Sequence, residues 1–388
     1  MISANAHAIV ARDMCSRRGR ALAVRRMLAA GATAGVLALA GCAAPAEPAP
    51  PSTSPSPVAE HPSSSPGAAP QVRDVATGLT SPWSVVFLAD GTPLVSERDT
   101  ANILELRPDG SARVIGTVPG VAHGGEGGLL GLAVGADEQL YVYSTGVGGN
   151  RIQRFALSGA PGALALGDAD TVLDGLPAAR THNGGRIAFG PDGMLYATAG
   201  DAGTPSRAQD PDSLGGKLLR MTPDGEAPDD NPIAGSLVYS LGHRNPQGIG
   251  WAPDGTLFLA EFGQDTWDEL NIIEPGGNYG WPEAEGIAGN HEFIDPVQQW
   301  PTDQASPSGL AVTGDAVYLA NLRGERLTEV LVADTSTTRE HLLGAYGRLR
   351  DAIVAPDGTL WITTNNTDGR GEPRPGDDRI VSIPLDSL

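Results

Sequence analysis

One histidine, one aspartate and a handful of arginines carry the chemistry open to this chain. His182 sits in Thr-His-Asn-Gly-Gly-Arg. The glycine pair lets backbone approach a ligand closely, and an imidazole can accept a proton near neutral pH. Taken alone, a histidine in a polar loop is more often structural. Asp201 follows in Ala-Thr-Ala-Gly-Asp-Ala-Gly, where a hairpin would return it to the imidazole. A carboxylate there fixes the tautomer and stabilises the imidazolium, although an ordinary turn aspartate reads the same way. Arg244 and Asn245 lie in Gly-His-Arg-Asn-Pro-Gln-Gly, and the neighbouring His243 is a rival base to which packing or hydrogen bonding is assigned. Arg348 and Arg350 alternate at strand spacing in Tyr-Gly-Arg-Leu-Arg-Asp, so they point the same way. Such a pair suits bidentate contact with carboxylates, or is simply solvated.

Placing these residues together requires a scaffold, and the sequence repeats one. From Gln71 onward an apolar strand, a turn and a second apolar strand recur six times. The copies are FLADGTPLVSE from Phe87, VGADEQLYVYS from Val134, FGPDGMLYATAGD from Phe189, WAPDGTLFLAE from Trp251, VTGDAVYLAN from Val312 and VAPDGTLWITT from Val354. Asp-Gly between β-rich runs signals a hairpin. The spacing, roughly 40 to 60 residues, is that of a propeller blade. The expected fold is therefore all-β, a six-bladed β-propeller of four-stranded antiparallel blades, with a pair of β-sandwiches as the alternative. Loops of several blades meet at one end of a propeller's channel, so distant residues can share a pocket.

Longer motifs then narrow the family. From Leu241 to Pro282 the chain reads LGHRNPQGIGWAPDGTLFLAEFGQDTWDELNIIEPGGNYGWP. This order of Arg-Asn-Pro-Gln loop, Pro-Asp-Gly turn, aromatic strand and NYGWP loop resembles the soluble quinoprotein glucose dehydrogenases and the related aldose and sorbosone dehydrogenases. Those enzymes use pyrroloquinoline quinone (PQQ). The resemblance covers most of Gln71–Leu388 and is strongest from Asn183 to Pro282. It implies that His182 takes the proton of an aldose C1 hydroxyl while hydride passes from C1 to the quinone, with Asp201 holding His182. Arg244 would stabilise charge developing on the quinone oxygen. Asn245, Arg348 and Arg350 would bind the cofactor, with Arg323 as a third cationic contact. Glu126, in Gly-Gly-Glu-Gly-Gly-Leu-Leu-Gly, matches the loop beneath it.

The same resemblance implies calcium. The carbonyls of Gly263 and Gln264 match those that hold a Ca²⁺ against the quinone, and Glu269 with the Tyr279 carbonyl implies a second, structural Ca²⁺. Carbonyl oxygens suit this hard cation. Four residues depart from the glucose dehydrogenase pattern: Glu126 for Gln, Thr181 for Asp, Arg323 for Lys and Gln264 for Pro. They point to the aldose dehydrogenase branch. Trp300 is a candidate wall of the sugar site or a core residue, while the side chains of Tyr279 and Trp281 read as mainly structural.

The remaining sequence concerns export. Residues 1–42 read as a secretion signal: Arg17, Arg18, Arg25 and Arg26 precede an apolar run that ends in Leu-Ala-Gly-Cys. That ending resembles a lipobox with Cys42 as the lipidated residue, and the arginine pairs also permit twin-arginine export. An uncleaved N-terminal anchor is the alternative. Residues 43–71, rich in Pro, Ala and Ser, read as a tether, which leaves 72–388 for the catalytic domain. The only cysteines, Cys15 and Cys42, precede that domain, so it holds no disulfide and no thiolate metal site.

The net charge is −20, and residues 1–41 contribute +5 of it through six Arg and one Asp, so the rest stands near −25. That balance argues against nucleic acid. The expected partners are an aldose and an electron acceptor that the sequence does not name, with membrane contact only through the lipid. Two other functions fit a propeller: a calcium-dependent lactonase or esterase, and a lipoprotein that binds a sugar or a partner without catalysis.

Overall fold

A computed structural model describes residues 71–388, and these residues form six four-stranded antiparallel sheets. The expectations placed on residues 1–42, Cys42 among them, and on 43–70 lie outside the described residues. We number the blades by their innermost strands, which are Pro82–Phe87, Leu129–Val134, Ile187–Phe189, Pro246–Trp251, Pro307–Val312 and Leu349–Val354. In blades 1 to 5 the four strands follow one another outward in chain order. Blade 6 differs: its outermost strand is Arg73–Ala76, paired antiparallel with Ile380–Ile383. The first described strand therefore closes the ring on the last.

All six sequence repeats fall on the hairpin between the first and second strands of a blade. The turn chemistry is local. Asp90, Asp137, Asp192, Asp254 and Asp357 each accept, through a side-chain oxygen, the N–H two residues on, at 2.9 to 3.2 Å. Asp precedes Gly in four of these five Asx turns, and in the fifth Glu138 takes the left-handed position (φ 60°) after Asp137. In the blade 5 copy Thr313 takes this part, accepting from Ala316 N–H at 3.0 Å. Aromatic residues ending inner strands lock against the preceding blade: Phe87 on Trp361, Phe189 on Tyr141 and Trp251 on Tyr196, edge to face with centroids 5.0 to 5.1 Å apart. Together with buried Leu, Val and Ile they fill the spaces between blades, so the core is a set of wedges around an axial channel.

An ion pair crosses that channel. Arg186 of blade 3 meets Asp351 of blade 6 at 3.1 Å, and both are buried. Arg186 also donates to the Gln247 carbonyl and to Ser84, and lies 4.3 Å from the Trp83 ring centroid. The Val85 N–H donates to Asp351. Blades 1, 3, 4 and 6 thus meet on the axis through polar contacts. Connections in an antiparallel blade alternate between two faces. The segments leading into first strands and those joining second to third strands share one face, here called the mouth, and the Asp-Gly hairpins occupy the other.

Candidate active site

The mouth gathers most of the expected residues. Glu126, His182, Arg244, Asn245 and Arg348 lie on segments leading into the first strands of blades 2, 3, 4 and 6. Asp201, Gly263, Gln264 and Arg323 lie between second and third strands of blades 3, 4 and 5. His182 has a left-handed backbone (φ 58°), uncommon for a residue with a Cβ. Two bonds hold it there: its N–H donates to Glu126 Oε2 at 2.8 Å, and its carbonyl accepts from Ala202 N–H at 3.1 Å. Gly200 allows the close approach, because a Cβ at that position would stand 2.1 Å from the His182 carbonyl oxygen.

The imidazole Nδ1 lies 2.7 Å from Asp201 Oδ1. Asp201 is fully buried, accepts from Gly203 N–H at 2.7 Å, and takes the Trp281 indole N–H on Oδ2 at 2.9 Å. Burial alone would push its carboxyl up. The contacts with His182, Trp281 and Gly203 outweigh burial and hold it below the usual value. An ionised Asp201 keeps the proton on Nδ1, which leaves Nε2 with its lone pair. Trp281 thus helps position the candidate base, a part the sequence did not disclose. His243 takes the expected supporting role: buried, 2.8 Å from both Glu261 and Ser240, and stacked on Tyr279.

Arg244 and Asn245 continue this wall. The Arg244 guanidinium lies 5.5 Å from the Trp281 ring centroid and donates to the Phe262 and Gly263 carbonyls. Its Nε is buried with no hydrogen-bond partner. Burial lowers its pKa against the opposing charges of Asp201, Glu261 and Glu126. Asn245 accepts the Gly184 N–H at 3.1 Å and turns its amide towards Glu126 at 3.5 Å. Glu126 also faces Arg370 at 3.5 Å, so an arginine does stand ready to balance its charge.

Arg348 and Arg350 are both buried, and each has an Nε without a partner. Arg350 donates to Gln247, Ser308 and Asn365 at 2.9 to 3.2 Å. Burial, reinforced by the nearby charge of Arg98, pushes it down to about 9. Arg348 is also lowered, first by burial. Asp368 lies between Arg348 at 3.7 Å and Arg98 at 3.9 Å, and its buried Oδ2 makes no hydrogen bond. Sequence reading missed Arg98, Asp368 and Arg370. Arg323 is exposed, unlike the buried pair.

The proposed metal residues cluster in blade 4. Gly263 and Gln264 open a turn whose amides are taken by the carboxylates of Asp268 and Glu285. Glu269 and Tyr279 line a cavity of about 10 Å³ with Glu261, Gly263 and Glu285, room for one water-sized occupant. Burial, and then the charge of Glu261, push Glu269 up to about 8. A cation placed there would reverse that shift. Among the described residues no three His, Cys, Asp or Glu side chains form a group able to hold a metal, so any ion here leans on carbonyl oxygens.

Trp300 lies on the outermost strand of blade 4, Gln298–Pro301, half-buried against the apolar wedge between blades 4 and 5. Its register opposite Asp268 sets it at the mouth end of that strand. A cavity of about 500 Å³ opens at the hairpin end of the channel, between Phe87, Phe189, Trp251 and Val354, and shares none of the mouth's catalytic candidates.

Comparison with known proteins agrees with this geometry. Residues 79–372 match the family model described as Glucose / Sorbosone dehydrogenase. The aldose sugar dehydrogenase YliI of Escherichia coli (strain K12) is 30% identical over 335 residues, 75% of this chain and 89% of that protein. Quinoprotein glucose dehydrogenase B of Acinetobacter calcoaceticus is 33% identical over 251 residues, 55% of this chain. The chain spans only about half of that relative, 52% of its length. Among solved structures, the PQQ-bound aldose sugar dehydrogenase from Streptomyces coelicolor superposes with a TM-score of 0.78 at 51% identity, covering 82% of this chain and 99% of that one. With fold, family model and relatives in agreement, the chain belongs to the glucose/sorbosone dehydrogenase family.

Proposed function

We propose that this protein is a quinoprotein oxidoreductase that oxidises the C1 hydroxyl of aldose sugars to lactones, using PQQ and Ca²⁺. One observation carries the reading: a His182–Asp201 pair shares the mouth end of the channel with the buried pair Arg348 and Arg350, whose nearest counter-charge is Asp368, 3.7 Å from Arg348. Crowded buried cations are costly, and a polycarboxylate bound beside them would offset that charge. PQQ, when bound, supplies the acceptor for the two electrons and the hydrogen leaving C1, and calcium polarises it.

His182 Nε2 takes the hydroxyl proton, and Asp201 stabilises the imidazolium so formed. Arg244 places positive charge where negative charge develops. Arg348 and Arg350 would hold cofactor carboxylates, with Arg323 as a third cationic contact, while Asn245 and Glu126 brace the His182 loop. Gly263 and Gln264 offer carbonyls to one Ca²⁺, and Glu269 with the Tyr279 carbonyl to the other. A lactonase or esterase would have no use for the buried arginine pair. A non-catalytic lipoprotein would have no use for an oriented base.

The test uses residues 72–388, stripped with chelator and reloaded with Ca²⁺, with and without PQQ. Dye reduction is followed across a panel of aldoses. Reduction that needs both PQQ and Ca²⁺ is the expected result. No turnover with any sugar, together with no PQQ binding by absorbance titration, would return the case to the lactonase or the binding lipoprotein. Export and lipidation at Cys42 are part of the same proposal: Cys42→Ser should release the protein from the membrane fraction.

A further inference from the structure

The blade 4 turn is organised from inside by a residue far along the chain. Gly263 N–H donates to Asp268 Oδ1 at 2.8 Å. The next four N–H groups, those of Gln264, Asp265, Thr266 and Trp267, all converge on Glu285 Oε1, at 2.6, 3.0, 3.0 and 3.3 Å. A trans peptide unit holds its N–H and C=O antiparallel. Aiming the Gln264 N–H at Glu285 therefore turns the Gly263 carbonyl directly away from it. The Asp265 N–H does the same to the Gln264 carbonyl. These are the two oxygens the proposed calcium needs. The Gly263 carbonyl accepts from Arg244, so it already faces the mouth.

We propose that Glu285 is a positioning residue that holds the 263–267 turn with its carbonyls outward, and so sets how tightly calcium and PQQ are retained. This rests on the reading above that both bind at the mouth. Glu285 gathers four donors on one oxygen, which is stronger when that oxygen is charged. A second account competes: Glu285 also lines the small cavity with Glu269, so its negative charge could act on a cation there.

The experiment measures the calcium concentration that half-saturates PQQ binding by absorbance, in Glu285→Ala and Glu285→Gln, each also in a Glu269→Gln background. Exchange protection of the 264–267 amides is followed alongside. Removing residues that orient metal ligands commonly costs about 10- to 100-fold in metal affinity. Glu285→Ala should raise the half-saturating concentration by about that factor in both backgrounds and lose the amide protection. Glu285→Gln, whose amide oxygen still accepts, should stay nearer wild type on both readouts. Equal losses in the Ala and Gln variants, or an effect that vanishes with Glu269→Gln, would assign the effect to charge and overturn the proposal. If wild type itself binds no PQQ at any calcium level, the functional reading fails and this inference falls with it.

Discussion

Replacing Asp201 by Asn tests the assignment of the base most directly. Both carboxylate oxygens are occupied by donors: Oδ1 by His182 and Gly203, Oδ2 by Trp281. An amide has one acceptor, so its NH₂ must face a donor in either orientation. Facing the indole, it repels that N–H and loosens the loop. Facing His182, it forces Nδ1 to accept and moves the proton to Nε2, where no base remains. The charge is lost in both cases. An attraction of about 4 kcal/mol holds for unit charges 4 Å apart at an effective dielectric near 20. At 1.36 kcal/mol per decade, kcat should fall on the order of a thousandfold. The assay is single-turnover dye reduction with saturating PQQ and Ca²⁺, with PQQ affinity measured separately. Affinity should hold, since Asp201 makes no cofactor contact in this reading. A variant keeping more than about a tenth of wild-type kcat would show Asp201 to be an ordinary turn residue and refute the argument.

His182→Gln should abolish turnover while leaving PQQ binding nearly intact, because it removes only the base; an equal loss of binding, read by absorbance titration, would refute that role. Arg348→Ala should weaken PQQ retention, seen as faster cofactor loss on dilution. Calcium-stripped protein should lose thermal stability as pH rises from about 5 to 8. Burial raises Asp268 to about 6 and Glu269 to about 8. The native state therefore binds more protons than the unfolded chain across that window, so stability falls with pH. Melting scans should show calcium restoring it and Glu269→Gln flattening the slope.

The hairpins were legible because their signal is local: Asp-Gly and the apolar runs beside it lie within a dozen residues. Ring closure was not, since nothing in Arg73–Ala76 announces a partner at Ile380–Ile383. The site divides along the same line. His182, Asp201 and the arginine pair could be named from motifs, and the fold brings them to one face. Glu285 could not: it acts on a turn some twenty residues earlier through backbone amides, which leave no trace in residue types. Trp281 read as structural because an indole N–H is indistinguishable in sequence from a packing surface. Trp300 kept two readings in sequence for the converse reason, as an aromatic packed on an outer strand looks the same as one lining a mouth.

The shared blade 6 makes the molecule unequally vulnerable to cutting. A nick in an exposed loop between strands leaves every blade paired to its neighbours. Loss of the four residues 73–76, or of 380–383, removes one side of the strand pairing that ties the first described strand to the last, and so weakens the closure of the circle. Synthesis delivers the closing strand last, so the fragment emerging earlier is an open arc with one unmatched end. Blade 6 cannot complete its sheet until Ile380–Ile383 has been made, and a cut that removes that strand or Arg73–Ala76 weakens the ring.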